Sequence, residues 1–349
     1  MPNHRFIRKD HLILIAAAPM LIIASSLIGI DGYFGTPKIA YSQSDQDQMN
    51  SNTTKSVNIQ DIPLEKVRVG DIDVAYKMFG KGEPILLFNG ASDGMDAWDP
   101  SFLTGLSSNH TVIAFDQRGI GNTTAGSKPY TMLLLANDTA GLLDALKIQQ
   151  ADVFGYSLGS EIAQQLTVSH PDKVNRLMLV ASSCGGKDGT PKPPEFLKLQ
   201  AEIVNKSLNN VSISQEEMKK LVSASLGSGW VRLHPKSLDV PANITLQQMK
   251  PSLSPDAMKN QMNVGFAWEA TDWNGACDEL AKIAKPTLVI TGTDDNNYMP
   301  HANALVIAGK IPGAWLVQIK DAGHAVMDQY PDEISKILNT FLSTTTPPS

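Results

Sequence analysis

The sequence is poor in several kinds of residue, and each scarcity excludes a class of protein. Only two cysteines and seven histidines occur among its 349 residues, and they are too scattered for a structural zinc site. Charged residues make up 18% of the chain and the net charge is −6, without a basic stripe or an interleaved aromatic array, which argues against nucleic-acid binding. There is no glycine-rich phosphate loop and no G-x-G-x-x-G motif, so we expect no organic cofactor and no metal.

The N-terminal segment has the pattern of a targeting sequence. Three basic residues within the first nine precede an apolar run over 12–30, which is long enough to span a bilayer at ~20 residues. A small-residue site at 40–42 would suit cleavage, so residues 1–42 are predicted to be a signal peptide, with an uncleaved signal anchor, and hence membrane attachment through 12–30, as the alternative. Residues 43–60 are rich in Ser, Gln, Asp and Asn and predict a flexible linker.

Glycosylation acceptor motifs are numerous. Seven N-x-[ST] sequons occur, and as a set they fit an extracellular or cell-surface glycoprotein, although the one in a helical stretch, at Asn137, is sterically poor. The seven are Asn52, Asn109, Asn122, Asn137, Asn205, Asn210 and Asn243.

A G-x-S-x-G motif at 155–159 follows the strand-like run 151–154 and precedes a helical stretch that we expect over Ser160–His170. This spacing is typical of a serine on a sharp strand-to-helix turn, in which the flanking positions must be small. The helix N-terminus would favour negative charge developing at Ser157. A glycine-rich turn with a merely structural serine is the alternative, but the context favours a nucleophile.

A serine nucleophile needs a base and an acid that orients the base. Of the seven histidines, His324 is placed best, on a small-residue loop directly after the apolar run 314–319. The acid should follow another buried strand, and 285–290 has that pattern. Asp294 and Asp295 both follow it, and the spacing alone does not decide between them, since Asp294 could cap its own turn.

Taken together, these motifs resemble the α/β-hydrolases of the large, cap-bearing esterase and lactonase group. The similarity runs from about Val67 to Phe341 and is carried by Asp116-Gln117-Arg118-Gly119-Ile120-Gly121, the elbow at Ser157, Gly292-Thr293-Asp294-Asp295, and Gly323-His324. The family's G-x-x-D pattern implies that Asp295 is the acid, and the order Ser157, Asp295, His324 is the one expected. Some members carry the acid after the sixth strand, but here 181–184 contains no carboxylate.

One motif departs from the family pattern. The family usually has His-Gly after its third strand, where this chain has Asn89-Gly90, and an amide can also donate and accept hydrogen bonds to support the loop. The resemblance implies an oxyanion hole formed by the backbone N–H groups of Ala91 and Leu158.

The order of elements predicts an α/β fold with a mostly parallel central sheet flanked by helices, and with a helical cap insertion. The core is expected over 61–184 and 276–344, the cap over 185–275, and a short tail over 345–349. In the cap, Met258, Met262 and Phe266 share a helix face, either as packing of cap on core or as an apolar substrate wall.

The two cysteines lie where the chain leaves the core for the cap and where it returns. Because both ends of the insert must meet the same core, Cys184 and Cys277 are candidates for a disulfide, which export would permit. Two buried free cysteines are the alternative.

The sequence therefore predicts an exported serine hydrolase that cleaves a small-molecule carboxylic ester or lactone through an acyl-enzyme. The same triad supports amide or peptide hydrolysis, acyl transfer, C–C hydrolysis and peracid formation, and a non-catalytic ligand-binding protein on this fold is a further alternative. Haloalkane dehalogenases and epoxide hydrolases are disfavoured because they carry Asp where this chain has Ser157. Nothing in the sequence specifies an oligomeric state.

Overall fold

A computed structural model describes residues 56–240, 243, 254–270, 272 and 275–344. Its centre is an eight-stranded sheet in the order β1-β2-β4-β3-β5-β6-β7-β8. The pairs β1·β2 and β2·β4 are antiparallel and the other five pairs are parallel, so the prediction of a mostly parallel sheet is confirmed. The strands are β1 Glu65–Val69, β2 Ile72–Gly80, β3 Glu83–Phe88, β4 His110–Phe115, β5 Ala151–Tyr156, β6 Val174–Val180, β7 Thr287–Gly292 and β8 Trp315–Ile319.

Ten α-helices and seven 3-10 helices lie among the described residues. The α-helices are α1 Pro100–Ser107, α2 Met132–Ala145, α3 Leu158–Ser169, α4 Pro194–Leu208, α5 Gln215–Leu226, α6 Ser228–Leu233, α7 Pro255–Glu269, α8 Ala302–Lys310, α9 Val326–Gln329 and α10 Pro331–Thr344. The 3-10 helices are Ile59–Asp61, Met95–Ala97, Pro171–Lys173, Gly186–Asp188, Pro235–Leu238, Ala276–Asp278 and Leu280–Lys282.

The central strands are buried on both faces because helices cover both. Successive side chains of a strand point to opposite faces, so Val153 of β5 packs in the cluster that contains residues of α2, α3 and α8. Its neighbour Phe154 packs in the opposite cluster, with residues of α1 and α10. Burial on both faces explains why these strands are continuous apolar runs and not alternating ones.

Local signals define where several helices begin. The Thr131 side chain accepts from the backbone N–H of Leu134 and caps α2. Ser214 and Glu217 form a capping box at the start of α5. The helix after the elbow begins at Leu158 and ends at Ser169, two residues earlier at its start than predicted, because the turn passes directly into the helix.

The cap is inserted between β6 and β7 and contains α4 to α7. The structure joins Cys184 and Cys277 by a disulfide, with 5.0 Å between their Cα atoms. The backbone N–H of Ala276 also donates to the carbonyl of Cys184 at 2.9 Å. The two ends of the insert therefore meet at one place.

Residues 57 and 59 pack on the core, although the sequence had placed them in the linker. The linker was expected to reach residue 60, but Ile59 is buried and the N–H of Val57 donates to Thr104 Oγ1 at 2.8 Å. The cause is the apolar side chain of Ile59, which packs with the core beneath α1. The predicted signal peptide or anchor over 1–42, the linker up to residue 55 and the tail 345–349 lie outside the described residues. Within the described ranges, no helix is long and apolar enough to cross a membrane.

Six of the seven sequon asparagines lie within the described residues, and all six are exposed. Asn137 lies on α2, where its Oδ1 pairs with His170 Nε2 at 2.7 Å. Asn52 lies outside the described part of the chain.

Candidate active site

Ser157 lies on a strained turn between β5 and α3. Its φ of 54° and ψ of −126° are rare for a residue with a side chain. A Cβ at Gly155 would come within 2.6 Å of the Gly159 carbonyl oxygen, and one at Gly159 within 2.5 Å of the carbonyl oxygens of Phe88 and Asn89. Both glycines of the motif are therefore required by close backbone contacts, and Gly159 lets the loop after β3 lie against the elbow.

The structure brings the three predicted triad residues together. Ser157 Oγ–H donates to His324 Nε2 at 2.9 Å, and His324 Nδ1–H donates to Asp295 Oδ2 at 2.7 Å. All three side chains are fully buried. The second carboxylate oxygen, Asp295 Oδ1, accepts from the N–H of Met299 at 3.1 Å, which fixes the carboxylate plane. This geometry sets the imidazole tautomer with an unprotonated nitrogen facing the serine.

The imidazole is also held by two tyrosines. The Tyr298 ring stacks on it with centroids 5.0 Å apart, and the Tyr156 ring lies 5.5 Å away. The Tyr156 hydroxyl donates to the His324 carbonyl at 3.1 Å. Burial raises the pKa of both phenols well above their usual range, so both remain neutral.

The two adjacent aspartates have different contacts. Asp295 faces His324, whereas the Asp294 carboxylate accepts from the Gly229 N–H at 2.7 Å and from the Ser228 hydroxyl at 3.1 Å. The Asp294 side chain therefore binds the first turn of α6 in the cap. The suggestion from the sequence that it caps its own turn is wrong.

The predicted oxyanion donors, the backbone N–H groups of Ala91 and Leu158, are both left without an acceptor in the part of the chain that the structure describes. Leu158 is the first residue of α3, and its N–H has no intrahelical acceptor, as at any helix start. Neither this N–H nor that of Ala91 donates to another group among the described residues. Both residues are buried, and Leu158 directly follows the nucleophile, so among the described residues these two backbone donors are shielded from water without an acceptor.

Asn89 supports the loop after β3 as expected for an amide. Its Oδ1 accepts from the N–H of Gly90 at 2.8 Å, and its Nδ2 donates to the carbonyl of Gly94 at 3.0 Å. The Asn89 carbonyl accepts from Gln117 Nε2 at 2.8 Å. The side chain that replaces the usual histidine therefore closes the loop on itself.

The three residues suggested as a substrate wall lie at the boundary between cap and core. Met258 and Met262 are buried in the apolar cluster that also contains Ala91 and Leu158, and Phe266 is half-buried against it. These contacts agree with packing of cap on core. A direct contact with substrate remains a prediction for these three residues.

One buried acidic group near the elbow was not predicted from the sequence. Glu161 on α3 is fully buried, and neither of its carboxyl oxygens has a hydrogen-bond partner among the described residues. Burial, and secondarily the charge of Glu269, raise the pKa of this carboxyl well above its usual range, while Lys192 opposes the shift. Only its position four residues after Ser157 could have drawn attention to it.

The cap also holds the histidine loop, a contact that the sequence did not predict. Gln329 Nε2 donates to the Leu226 carbonyl at 2.8 Å, and Gln329 Oε1 accepts from the Gly323 N–H at 2.9 Å. The N–H of Ala325 donates to the Ser225 carbonyl at 3.1 Å. The end of α5 thus lies directly on the backbone around His324. In the described part of the chain, no three His, Cys, Asp or Glu side chains are grouped to hold a metal ion.

A sheet of this topology, with a serine elbow after β5, an acid after β7 and a histidine after β8, defines the α/β-hydrolase class. A family model described as the alpha/beta hydrolase fold matches residues 83–331. The chain belongs to the α/β-hydrolase fold family and is an enzyme of this class, which confirms the resemblance seen in the sequence.

Among its relatives is a poly(3-hydroxyalkanoate) depolymerase of Ectopseudomonas oleovorans, which is 29% identical over 261 residues, covering 74% of this chain and 84% of the relative. The solved structure of Est816, an N-acyl homoserine lactone degrading enzyme, matches with 27% identity and a TM-score of 0.61, covering 79% of this chain and all of that one. An α/β-hydrolase from a Medee basin deep-sea metagenome library matches with 18% identity and a TM-score of 0.67, covering 82% of this chain and 99% of that one, and shows the shared fold.

Proposed function

We propose that this protein is an exported serine hydrolase that cleaves a carboxylic ester or lactone through an acyl-enzyme. The observation that carries the proposal is the continuous hydrogen-bonded chain from Ser157 Oγ through His324 to Asp295. A lone buried serine would not need a histidine that is itself oriented by a buried carboxylate.

The chemical steps follow from this geometry. Ser157 Oγ attacks the substrate carbonyl carbon while His324 Nε2 takes its proton, and the charge of Asp295 stabilises the resulting imidazolium. The N–H groups of Ala91 and Leu158 donate to the developing oxyanion. His324 then protonates the leaving alkoxide, and a water molecule activated by His324 releases the acid from Ser157.

The substrate class is supported by two relatives. One is named for a poly(3-hydroxyalkanoate) and the other for an N-acyl homoserine lactone, so both names point to ester-type bonds. Met258, Met262 and Phe266 are apolar, so a substrate that contacts them is expected to present an apolar acyl or alcohol group there.

Export is supported by the leader pattern in 1–42, by the six exposed sequon asparagines and by the disulfide between Cys184 and Cys277. Disulfides persist mainly in oxidising compartments. N-terminal sequencing of the mature protein tests the cleaved-signal form of the proposal, for which the first residue is expected to be Gln43.

The decisive test combines covalent labelling with turnover. Purified wild-type protein is treated with a fluorophosphonate and is assayed on a panel of p-nitrophenyl esters, lactones and matched anilides. We expect rapid labelling at Ser157, and hydrolysis of esters or lactones with slower or no hydrolysis of anilides.

Ser157→Ala should abolish both labelling and turnover while keeping the fold. Ser107→Ala is the matched control, since the part-buried Ser107 hydroxyl donates to the Thr104 carbonyl within α1 and takes no part in the triad, so labelling and turnover should stay at the wild-type level. Labelling that survives in Ser157→Ala, or a wild-type protein that cleaves anilides but neither esters nor lactones, would contradict the proposal.

A further inference from the structure

The oxyanion loop, defined here as residues 89–94, is held by a relay of two buried glutamines. Gln261 Oε1, from cap helix α7, accepts from the N–H of Ser92 at 2.6 Å. Gln261 Nε2 donates to Gln117 Oε1 at 3.2 Å, and Gln117 Nε2 donates to the Asn89 carbonyl at 2.8 Å. The relay thus begins and ends on the loop and passes through the cap.

The backbone of this loop needs external support. Ser92 has a φ of 67°, a left-handed conformation that is unfavourable for a residue with a side chain. The N–H that Gln261 holds belongs to the peptide unit joining Ala91 to Ser92. Fixing that unit limits the rotation of Ala91, whose own N–H is a predicted oxyanion donor. Gln261 is only 1% exposed, so water does not compete for the bond.

We propose that Gln261 is a positioning residue for the oxyanion hole, so that the hole has its productive geometry only while α7 is seated on the core. The inference rests on the proposed serine hydrolase function and deepens it. The cap then contributes to the rate of the chemical step as well as to substrate selection. Because the relay acts on transition-state geometry, its loss lowers kcat and leaves KM nearly unchanged.

Two substitutions separate positioning from packing. Gln261→Met keeps the side-chain volume and removes both hydrogen bonds. We expect kcat and the rate of fluorophosphonate labelling to fall by about 10- to 100-fold, which does not exceed the fall in rate caused by removing one oxyanion donor. Gln261→Glu accepts from Ser92 in either protonation state but donates to Gln117 only when protonated. Its kcat relative to wild type at the same pH should therefore rise as the pH is lowered.

The matched control is Gln215→Met. Gln215 lies on cap helix α5 and donates to the Val240 carbonyl, also in the cap, at 3.0 Å, so its loss removes a cap hydrogen bond without touching the loop. We expect kcat and KM within about twofold of wild type for this variant, in line with small effects of substitutions away from special sites. Thermal unfolding of all variants is measured alongside.

The inference is overturned if Gln261→Met retains wild-type kcat and labelling rate, or if only KM rises. It is also overturned if Gln261→Glu shows a constant ratio to wild type across pH. Failure of the proposed hydrolase function can be distinguished from failure of this inference, because the former would be seen in the wild-type protein and the latter only in the Gln261 variants. If the wild-type protein is labelled at Ser157 but cleaves neither esters nor lactones, the proposed substrate class is wrong, and the labelling rates of the variants still decide the role of Gln261. If the wild-type protein is not labelled, both the proposed function and the role of Gln261 are wrong.

Discussion

Asp294 and Asp295 are neighbours in the chain, yet only one of them faces the imidazole. Asp295→Asn should lower kcat by several orders of magnitude, about 10⁴-fold, because the amide favours the wrong histidine tautomer. Asp294→Asn keeps an acceptor for the Gly229 N–H and should lower kcat by less than about tenfold. Steady-state kinetics on one ester measures both variants. A larger loss in Asp294→Asn would move the acid role to that residue.

Glu161 makes the free energy of unfolding depend on pH. Its pKa is raised from the ordinary value of 4.5, so above pH 4.5 the unfolded chain releases this proton while the folded protein keeps it. The free energy of unfolding therefore falls as the pH rises, by at most about 1.4 kcal/mol per unit. Glu161→Gln removes this dependence, so its stability advantage over wild type should grow from pH 5 to pH 8.

Urea unfolding of both proteins at several pH values measures that difference. The neutral glutamine has nearly the shape of the protonated glutamic acid, so the two proteins should be similar near pH 5. A stability difference that stays constant between pH 5 and pH 8 would mean that Glu161 ionises normally in the fold.

At the scale of elements, the end of α5 and the histidine loop form one hydrogen-bonded unit through Gln329. Gln329→Leu leaves the Gly323 N–H and the Leu226 carbonyl unpaired in a buried place, which costs about 1–3 kcal/mol for each group. We expect a lower unfolding midpoint in urea and a lower kcat, since His324 follows Gly323 directly.

Gln318→Leu is the control for this change, because it makes the same glutamine-to-leucine substitution at an exposed position on β8. Its stability should stay within about 0.5 kcal/mol of wild type. Equal stability and kcat in Gln329→Leu and Gln318→Leu would show that the α5 contact does not support the histidine loop.

The sequence predicted those elements whose signals are local. The elbow is read from five consecutive residues around Ser157, and the strands that carry Asp295 and His324 are short apolar runs ended by small residues. Residue pattern alone left Asp294 and Asp295 undecided, because both follow the same strand and only the three-dimensional contact with α6 distinguishes them.

The cap contacts could not be predicted in this way. Gln261 meets Ser92 across 169 residues and Gln329 meets Leu226 across 103, and no spacing rule relates such distant positions. Glutamine is also common on exposed helix faces, so neither residue stands out. Such contacts depend on how the cap is seated, which the packing of the whole chain decides.

At the scale of the whole molecule, the disulfide should be a large single contribution to stability. Closing a loop of 93 residues gives roughly 4–5 kcal/mol in the chain-entropy model. Thiol titration of unreduced, denatured protein should find no free thiol, and the double change Cys184→Ala with Cys277→Ala should lower the urea midpoint. Two free thiols per chain, or an unchanged midpoint, would contradict the assignment.

Cap and core are joined covalently only at the place where β6 ends and β7 follows beside it in the sheet. The insert between Cys184 and Cys277 is therefore a covalently closed ring that is attached to the core at one place, beyond the carboxyl end of β6. We expect that a different insert joined at this place would keep the strand order of the sheet and could change the acyl preference, provided that it restores the cap contacts to Asp294 and Gln329. The new insert must also provide an acceptor for the Ser92 N–H, because in this protein that acceptor, Gln261, is part of the insert.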